Sequence, residues 1–255
     1  MKRSHRLSLA AVLGMFAALV VPQLAGTAFA QDVSPMSDNG GATPAPTVTG
    51  ENDSLRRFWQ IEIGSRTSIV RDPGYDTFSK SDGLPQLSLG FSRTVFVDHE
   101  LSIAIGAHWD YGGQHATARG SEASISVHRL SVPVEARLHV QRWMYAFVRL
   151  APGTAHTAAS IQDASSSETL VDSAWTFSGD ASVGAAFLMG PHGNPTQHTP
   201  RFWGTMDFGY GYQPGVALRM HVQPAEDDPR QYGSTTLRPV ALSGVFVRLG
   251  LSVTL

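Results

Sequence analysis

Two sets of residues in this 255-residue chain have side chains that could do chemistry. The first is His108 and Asp110, two positions apart, followed along the chain by His128, His156, Asp163 and the run Ser165 to Ser167. A serine, an imidazole and an orienting carboxylate within hydrogen-bond reach are what nucleophilic catalysis needs. Serine and histidine are also the ordinary content of polar loops, so no catalytic residue is assigned from this spacing. The second set is Glu62, Arg66, Glu135, Arg137, Arg149, Asp180, Asp207 and Arg248. Each interrupts an apolar stretch on the parity held by its polar neighbours. Opposite charges enclosed on one face should pair, because an unpaired buried charge is expensive. The expected chemistry of this set is an internal ion-pair network. The ten histidines are scattered and there is no Cys, so neither a metal centre nor a cofactor is expected.

The elements that must position these charges alternate with period two, the mark of strands with one oily and one polar face. The last stretch, Val240 to Leu255, is the clearest case: Val245, Val247, Leu249, Leu251, Val253 and Leu255 alternate with Phe246, Arg248, Gly250, Ser252 and Thr254. Seven earlier stretches behave alike. The first runs from Trp59 to about Ile69, the second is built on Leu87, Leu89, Phe91 and Val95, and the third runs from Leu101 to Tyr111. A fourth spans about Ser124 to His139. Its Val132, Val134, Ala136 and Leu138 lie on one parity and Ile125 and Val127 on the other, which predicts a bulge between His128 and Ser131. Pro133 calls for an irregular pairing as well. The fifth, Trp143 to about Thr154, can turn either Met144, Ala146, Val148 and Leu150 or Tyr145 and Phe147 outward, and an inward Arg149 favours the first choice. The sixth carries Trp175, Phe177, Ala181, Val183, Ala185 and Phe187, and the seventh Phe202, Met206, Phe208, Tyr210 and Tyr212.

Before these strands come two segments of different character. Met1 to Ala30 has a basic start, an apolar run from Leu7 to Val21 and Ala28-Phe29-Ala30 before Gln31, the layout of a cleaved signal peptide. Residues 31–55 are rich in Pro, Ser, Thr and Gly and lack aromatic side chains, as a disordered periplasmic tether would be. That leaves 56–255 for the folded part. Overall 42% of residues are hydrophobic and 16% charged, with no single apolar run dominating. After the leader the only lysine is Lys80, and no basic cluster offers a nucleic-acid footprint.

An oily-faced terminal strand must pair on both edges or aggregate, and closing a barrel removes the edge. The expected fold is therefore all-β: an eight-stranded antiparallel up-and-down transmembrane barrel. Long connections follow the first, third, fifth and seventh strands. The connections after the second and fourth are short, and Gly190 to Pro200, after the sixth, is longer than such a turn should be. Tryptophan positions agree with two membrane interfaces, with Trp59, Trp143 and Trp203 at one set of strand ends and Trp109 and Trp175 at the other. With Tyr111, Tyr210 and Tyr212 they make the expected aromatic girdles.

From Phe58 to Leu255 the chain resembles the small eight-stranded outer-membrane barrels of the OmpA/OmpX kind, on the strength of the leader, the strand pattern and the terminal VFVRLGLSVTL. The resemblance implies residence in a bacterial outer membrane, contact with its lipid and lipopolysaccharide, assembly by the barrel-insertion machinery, and loops open to an extracellular ligand. Such barrels usually end in Phe or Trp, whereas this sequence ends in Leu255. The His-x-Ser motif of the lipid A deacylase barrels is absent. A non-enzymatic envelope protein with a side-chain-filled lumen is the expectation; a narrow pore, a lipid-modifying enzyme and a soluble secreted β-sandwich are the alternatives.

Overall fold

Alternating side chains give a strand its two faces, and hydrogen bonds to neighbours on both edges decide how the strands assemble. In the computed structural model, which describes residues 59–118, 120–163, 168–189, 200–222 and 234–255, the result is a closed antiparallel barrel. The leader at 1–30, the tether at 31–55, Ser165 to Ser167 and most of the 190–200 connection lie outside the described residues.

The strands are β1 (Trp59–Val70), β2 (Gly83–Asp98), β3 (Leu101–Ala118), β4 (Ser121–Ser131), β5 (Val134–Gln141), β6 (Met144–Asp163), β7 (Thr169–Met189), β8 (Arg201–Tyr212), β9 (Arg219–Val222), β10 (Ser234–Thr236) and β11 (Gly244–Thr254). β4 and β5 are one stave of the barrel, so the ring has eight. It closes where β11 pairs with β1, from Gln60 opposite Thr254 to Val70 opposite Gly244. The amide of Leu255 then donates to the carbonyl of Trp59 at 2.9 Å, sealing the seam. β9 and β10 form a small hairpin that extends the upper part of β7.

The predicted bulge between His128 and Ser131 is absent. His108 faces Ser131 and Ile105 faces Val134 in one unbroken register on β3, and the register against β6 continues equally through the gap. Pro133 only interrupts the ladder: it has no amide hydrogen to give, while its carbonyl accepts from Gly106 N at 3.0 Å. Ile125 and Val127 change parity relative to the aliphatics of β5 because they point into the barrel and are buried there. Register shifts do occur, at Thr94/Phe96 and His139/Gln141, beside the two short turns.

Strands also run further than their apolar alternation suggests. The stretch Gly112 to Ala123, expected as a loop, continues β3 to Ala118 and starts β4 at Ser121 around Gly120, whose φ of 84° suits glycine. β6 reaches Asp163 rather than Thr154, and β7 begins at Thr169 rather than near Trp175. The expected loop from Gln213 to Arg238 contains β9 and β10. These extensions form one end of the barrel, called here the loop end; the other is the turn end. On β6 the favoured facing holds, with Tyr145, Phe147 and Arg149 inward and Val148 and Leu150 exposed.

Candidate functional site

At mid-height every stave sends its polar parity inward, and these side chains meet as one alternating chain of charges. Arg149 stands at its centre. It donates to Glu62 at 3.0 Å and to Glu135 at 2.7 Å, and lies 3.4 Å from Asp207. Glu135 also accepts from Arg137 at 2.6 Å. Asp207 lies 3.3 Å from Arg248, whose other terminal nitrogen is 3.5 Å from Asp110. Arg66 joins Asp110 at 3.1 Å to Asp180 at 2.5 and 3.0 Å. Asp180 is 3.8 Å from Arg129, which donates to the carbonyl of Leu242 at 2.9 Å. Ser88 donates to Asp110, and Ser182 to Asp207 at 3.0 Å. Burial of Arg66 is complete, so these acids replace water as its partners.

Glycines on the inward parity make room for the Arg66 guanidinium and the His108 ring. A Cβ on Gly211 would sit 2.6 Å from Arg66 Nη2, and one on Gly90 would sit 2.8 Å from His108 Cδ2. Aromatic faces take up what the acids leave: Arg66 lies 4.0 Å and Arg248 5.3 Å from the centre of the Phe246 ring, and Arg149 lies 5.1 Å from that of Phe147. Beside His108, whose Nε2 has no protein partner, a small gap of about 20 Å³ is lined by Glu62, Glu135 and Arg149, among others. That is room for one water.

Glu62, Arg66, Glu135, Arg137, Arg149, Asp207 and Arg248 are buried in this network and Asp180 is paired to Arg66 in it, together with Asp110, His108 and Arg129. Arg129 escaped the sequence reading because the supposed bulge put its strand out of phase. Of the residues that could serve catalysis, His108 Nδ1 lies 3.7 Å from Asp110 Oδ1 inside the lumen, whereas His128 and His156 lie on the outer wall. The barrel wall thus separates the two pairs. The side chain of Asp163 lies outside the described residues.

Above the charges the interior turns apolar. Val70, Tyr75, Phe78, Leu84, Ile125 and Val127 pack there with Leu218, Met220, Val240 and Leu242 from the segment before β11. A backbone bridge between Val216 and Val240 (3.0 and 2.9 Å) holds that segment, and the Tyr75 hydroxyl donates to the Gly83 carbonyl at 3.1 Å. Below the charges Tyr145, Phe147, Ala186 and Trp203 form an aromatic floor. Trp203 is the correction to the expected girdle: it is 6% exposed, it points inward, and its Nε1 donates to Thr254 Oγ1 at 3.2 Å. Its position, next to Phe202 on a strand whose even-numbered residues face out, requires this.

The outer face carries the aliphatic rows. Ile61 and Ile63, Leu87 and Leu89, Val132 and Val134, Val148 and Leu150, Met206 and Phe208, and Val247 to Leu251 on alternate positions are all exposed. Trp59 and Trp143 border this belt at the turn end, where Trp59 stacks on Phe91 at 5.0 Å and lies under Arg93. Trp109, Tyr111, Trp175, Tyr210 and Tyr212 face outward towards the loop end.

No family model matches the sequence, and no curated protein matches it. Among solved structures, the chain is similar to Ail, the attachment invasion locus protein of Yersinia pestis, in complex with the heparin analogue sucrose octasulfate. Identity is 13%, covering 77% of this chain and 97% of that one, with a TM-score of 0.43. It is similar also to Neisserial surface protein A (9% identity, 77% and 97% covered, TM-score 0.40). A third is the transport unit of the autotransporter AIDA-I from Escherichia coli (10% identity, 78% and 90% covered, TM-score 0.32).

Proposed function

We propose that this chain is a non-enzymatic barrel of the bacterial outer membrane, with a shut lumen and a loop end that forms a firm surface towards the outside. The observation that carries the reading is the belt: aliphatic rows point outward from every stave while the ions are inside. Soluble monomers rarely expose an apolar patch beyond about 300–600 Å². Against acyl chains such rows are at home, and a closed ring leaves no backbone edge unpaired in hydrocarbon.

An apolar lid, a layer of paired charges and an aromatic floor, stacked along one axis, favour a structural role over a narrow pore. The separation of His108 and Asp110 from His128 and His156 favours it over a lipid-modifying enzyme. On this reading the leader Met1 to Ala30 is cleaved on export, the insertion machinery delivers the barrel, and its neighbours are outer-membrane lipid and lipopolysaccharide. The loop end is then available to an extracellular ligand.

Membrane extraction and planar-bilayer recording test the reading together. The full chain should need detergent to leave the envelope, change its gel mobility on heating, and pass no steady current. Release by a salt wash overturns the membrane placement. A steady conductance that Arg149→Ala abolishes overturns the shut lumen.

A further inference from the structure

Above the belt, the outer wall over β3, β4, β6 and β7 carries three successive rows of cross-strand neighbours. The row nearest the belt is Tyr111, His128, His156 and Trp175, each directly opposite the next. Its ring centroids are 4.6, 6.4 and 4.9 Å apart. One step further from the belt come Gly113, Ser126, Ala158 and Ser173, and beyond them His115, Ser124, Ser160 and Val171, with His221 paired to Val171. In the middle row no side chain reaches past a hydroxyl, so the wall is hollowed between larger neighbours. The hollow is a groove of about 410 Å³ lined by Ser124, Ser126, Ala158, Ser160, Ser173 and His221, among others.

Its position, lining and size say what this groove suits. It lies on the outside of the wall and is continuous with the apolar belt through the ring row, so its surroundings are the polar layer of the leaflet at the loop end. Its lining offers hydroxyls, the imidazole of His221 and the carboxylate of Asp172, of which one oxygen already accepts from Arg219 N at 2.6 Å, while Ser124 and Ser160 are 2.8 Å apart. Among the described residues no Lys or Arg is in that lining, which disfavours a bare phosphate and favours an uncharged group with many hydroxyls. Trp175, 62% exposed, supplies a flat apolar surface at the groove's lower edge. The volume is within the ~300–1,000 Å³ common for small-molecule sites.

We propose that this groove seats the uncharged sugar headgroup of a glycolipid in the surrounding leaflet, with the acyl chains running down the belt below the ring row. The proposal rests on the membrane reading above. It identifies the wall between β4 and β7 as a lipid-selective surface.

The experiment is native mass spectrometry of the full chain released from nanodiscs of phosphatidylglycerol mixed with digalactosyl diacylglycerol. The wild-type protein should retain the glycolipid about tenfold over its share of the mixture. Ala158→Phe and, on the neighbouring strand, Ser173→Phe fill the groove and should bring retention back to that share, while Ala158→Ser keeps it. Statistical retention by the wild type, or undiminished enrichment in both filled variants, overturns the proposal. Lactose carries a comparable sugar without acyl chains; binding of lactose as tight as that of the lipid overturns the membrane source. Failure of the wild type to enter nanodiscs at all sinks the membrane reading itself, whereas entry with statistical retention sinks only the groove.

Discussion

Between Leu130 and Val127 the stave formed by β4 and β5 keeps its register and exchanges its two faces. Below, Val132, Val134 and Leu138 are exposed while Glu135 and Arg137 are buried. Above, Ile125 and Val127 are buried while Ser124 and Glu122 are exposed. β6 does the same, from Leu150 outside and Arg149 inside to Ser160 outside and Ala159 inside. The lower half of the barrel is charged within and oily without; the upper half is built as soluble proteins are. The reversal has a length argument behind it. Strands of about 20 residues at ~3.3 Å each, tilted by ~40°, rise roughly 50 Å, well beyond a hydrocarbon layer of about 30 Å. The medium outside the wall therefore sets which face is apolar, and the inner face takes what remains.

The sharpest way to break this contrast is to remove the centre of the lower half. Arg149→Ala leaves Glu62, Glu135 and Asp207 short of a partner in a closed space. A loss of about 3–5 kcal/mol is expected, read as a lower urea midpoint for the loss of the heat-modifiable form in detergent. Next in size is a charge on the belt. Leu249→Arg should cost about 2–4 kcal/mol in bilayers. The same change above the reversal, Ser124→Arg, should stay within about 0.5 kcal/mol, because that wall is wet. Equal costs at the two positions would abolish the distinction between the halves. In the upper half the lid should respond as a packed core does: Ile125→Val is expected to lose about 0.5–1.5 kcal/mol in the same urea titration, with no change in lipid insertion. Comparable in size is the floor hydrogen bond, where Thr254→Val should cost about 0.5–1.5 kcal/mol. If Trp203 turned outward in that variant, brominated lipid would quench more of the tryptophan fluorescence than it does in the wild type; no extra quenching is expected.

Much of the lower half was legible from residue order. The alternation in β1, β2, β3 and β11 marks strands and assigns Glu62, Arg66 and Arg248 to one face, because the large aliphatics hold the other. The upper half was not legible in that way. Many of its outward residues, such as Gly113, Ser124, Ser126, Ala158 and Ser160, are small and contrast weakly with their neighbours, so β3, β6 and β7 stop too early when judged by alternation. Ile125 and Val127 looked like a slipped register because the sign of the pattern, not its phase, had changed. That error hid Arg129. Trp203 was misplaced for a related reason: an aromatic at a strand end suggests a membrane border, yet parity governs where it points.

Residue order by itself determined sidedness, since period two ties each residue to the face of its second neighbour whatever surrounds the strand. Only the tertiary structure decided which face is interior at each height, since that depends on what touches the wall from outside. It alone also decided which carboxylate meets which guanidinium. Partners such as Arg66 and Asp180 or Arg149 and Glu62 are brought together by closure of the ring, across separations along the chain that no local pattern spans.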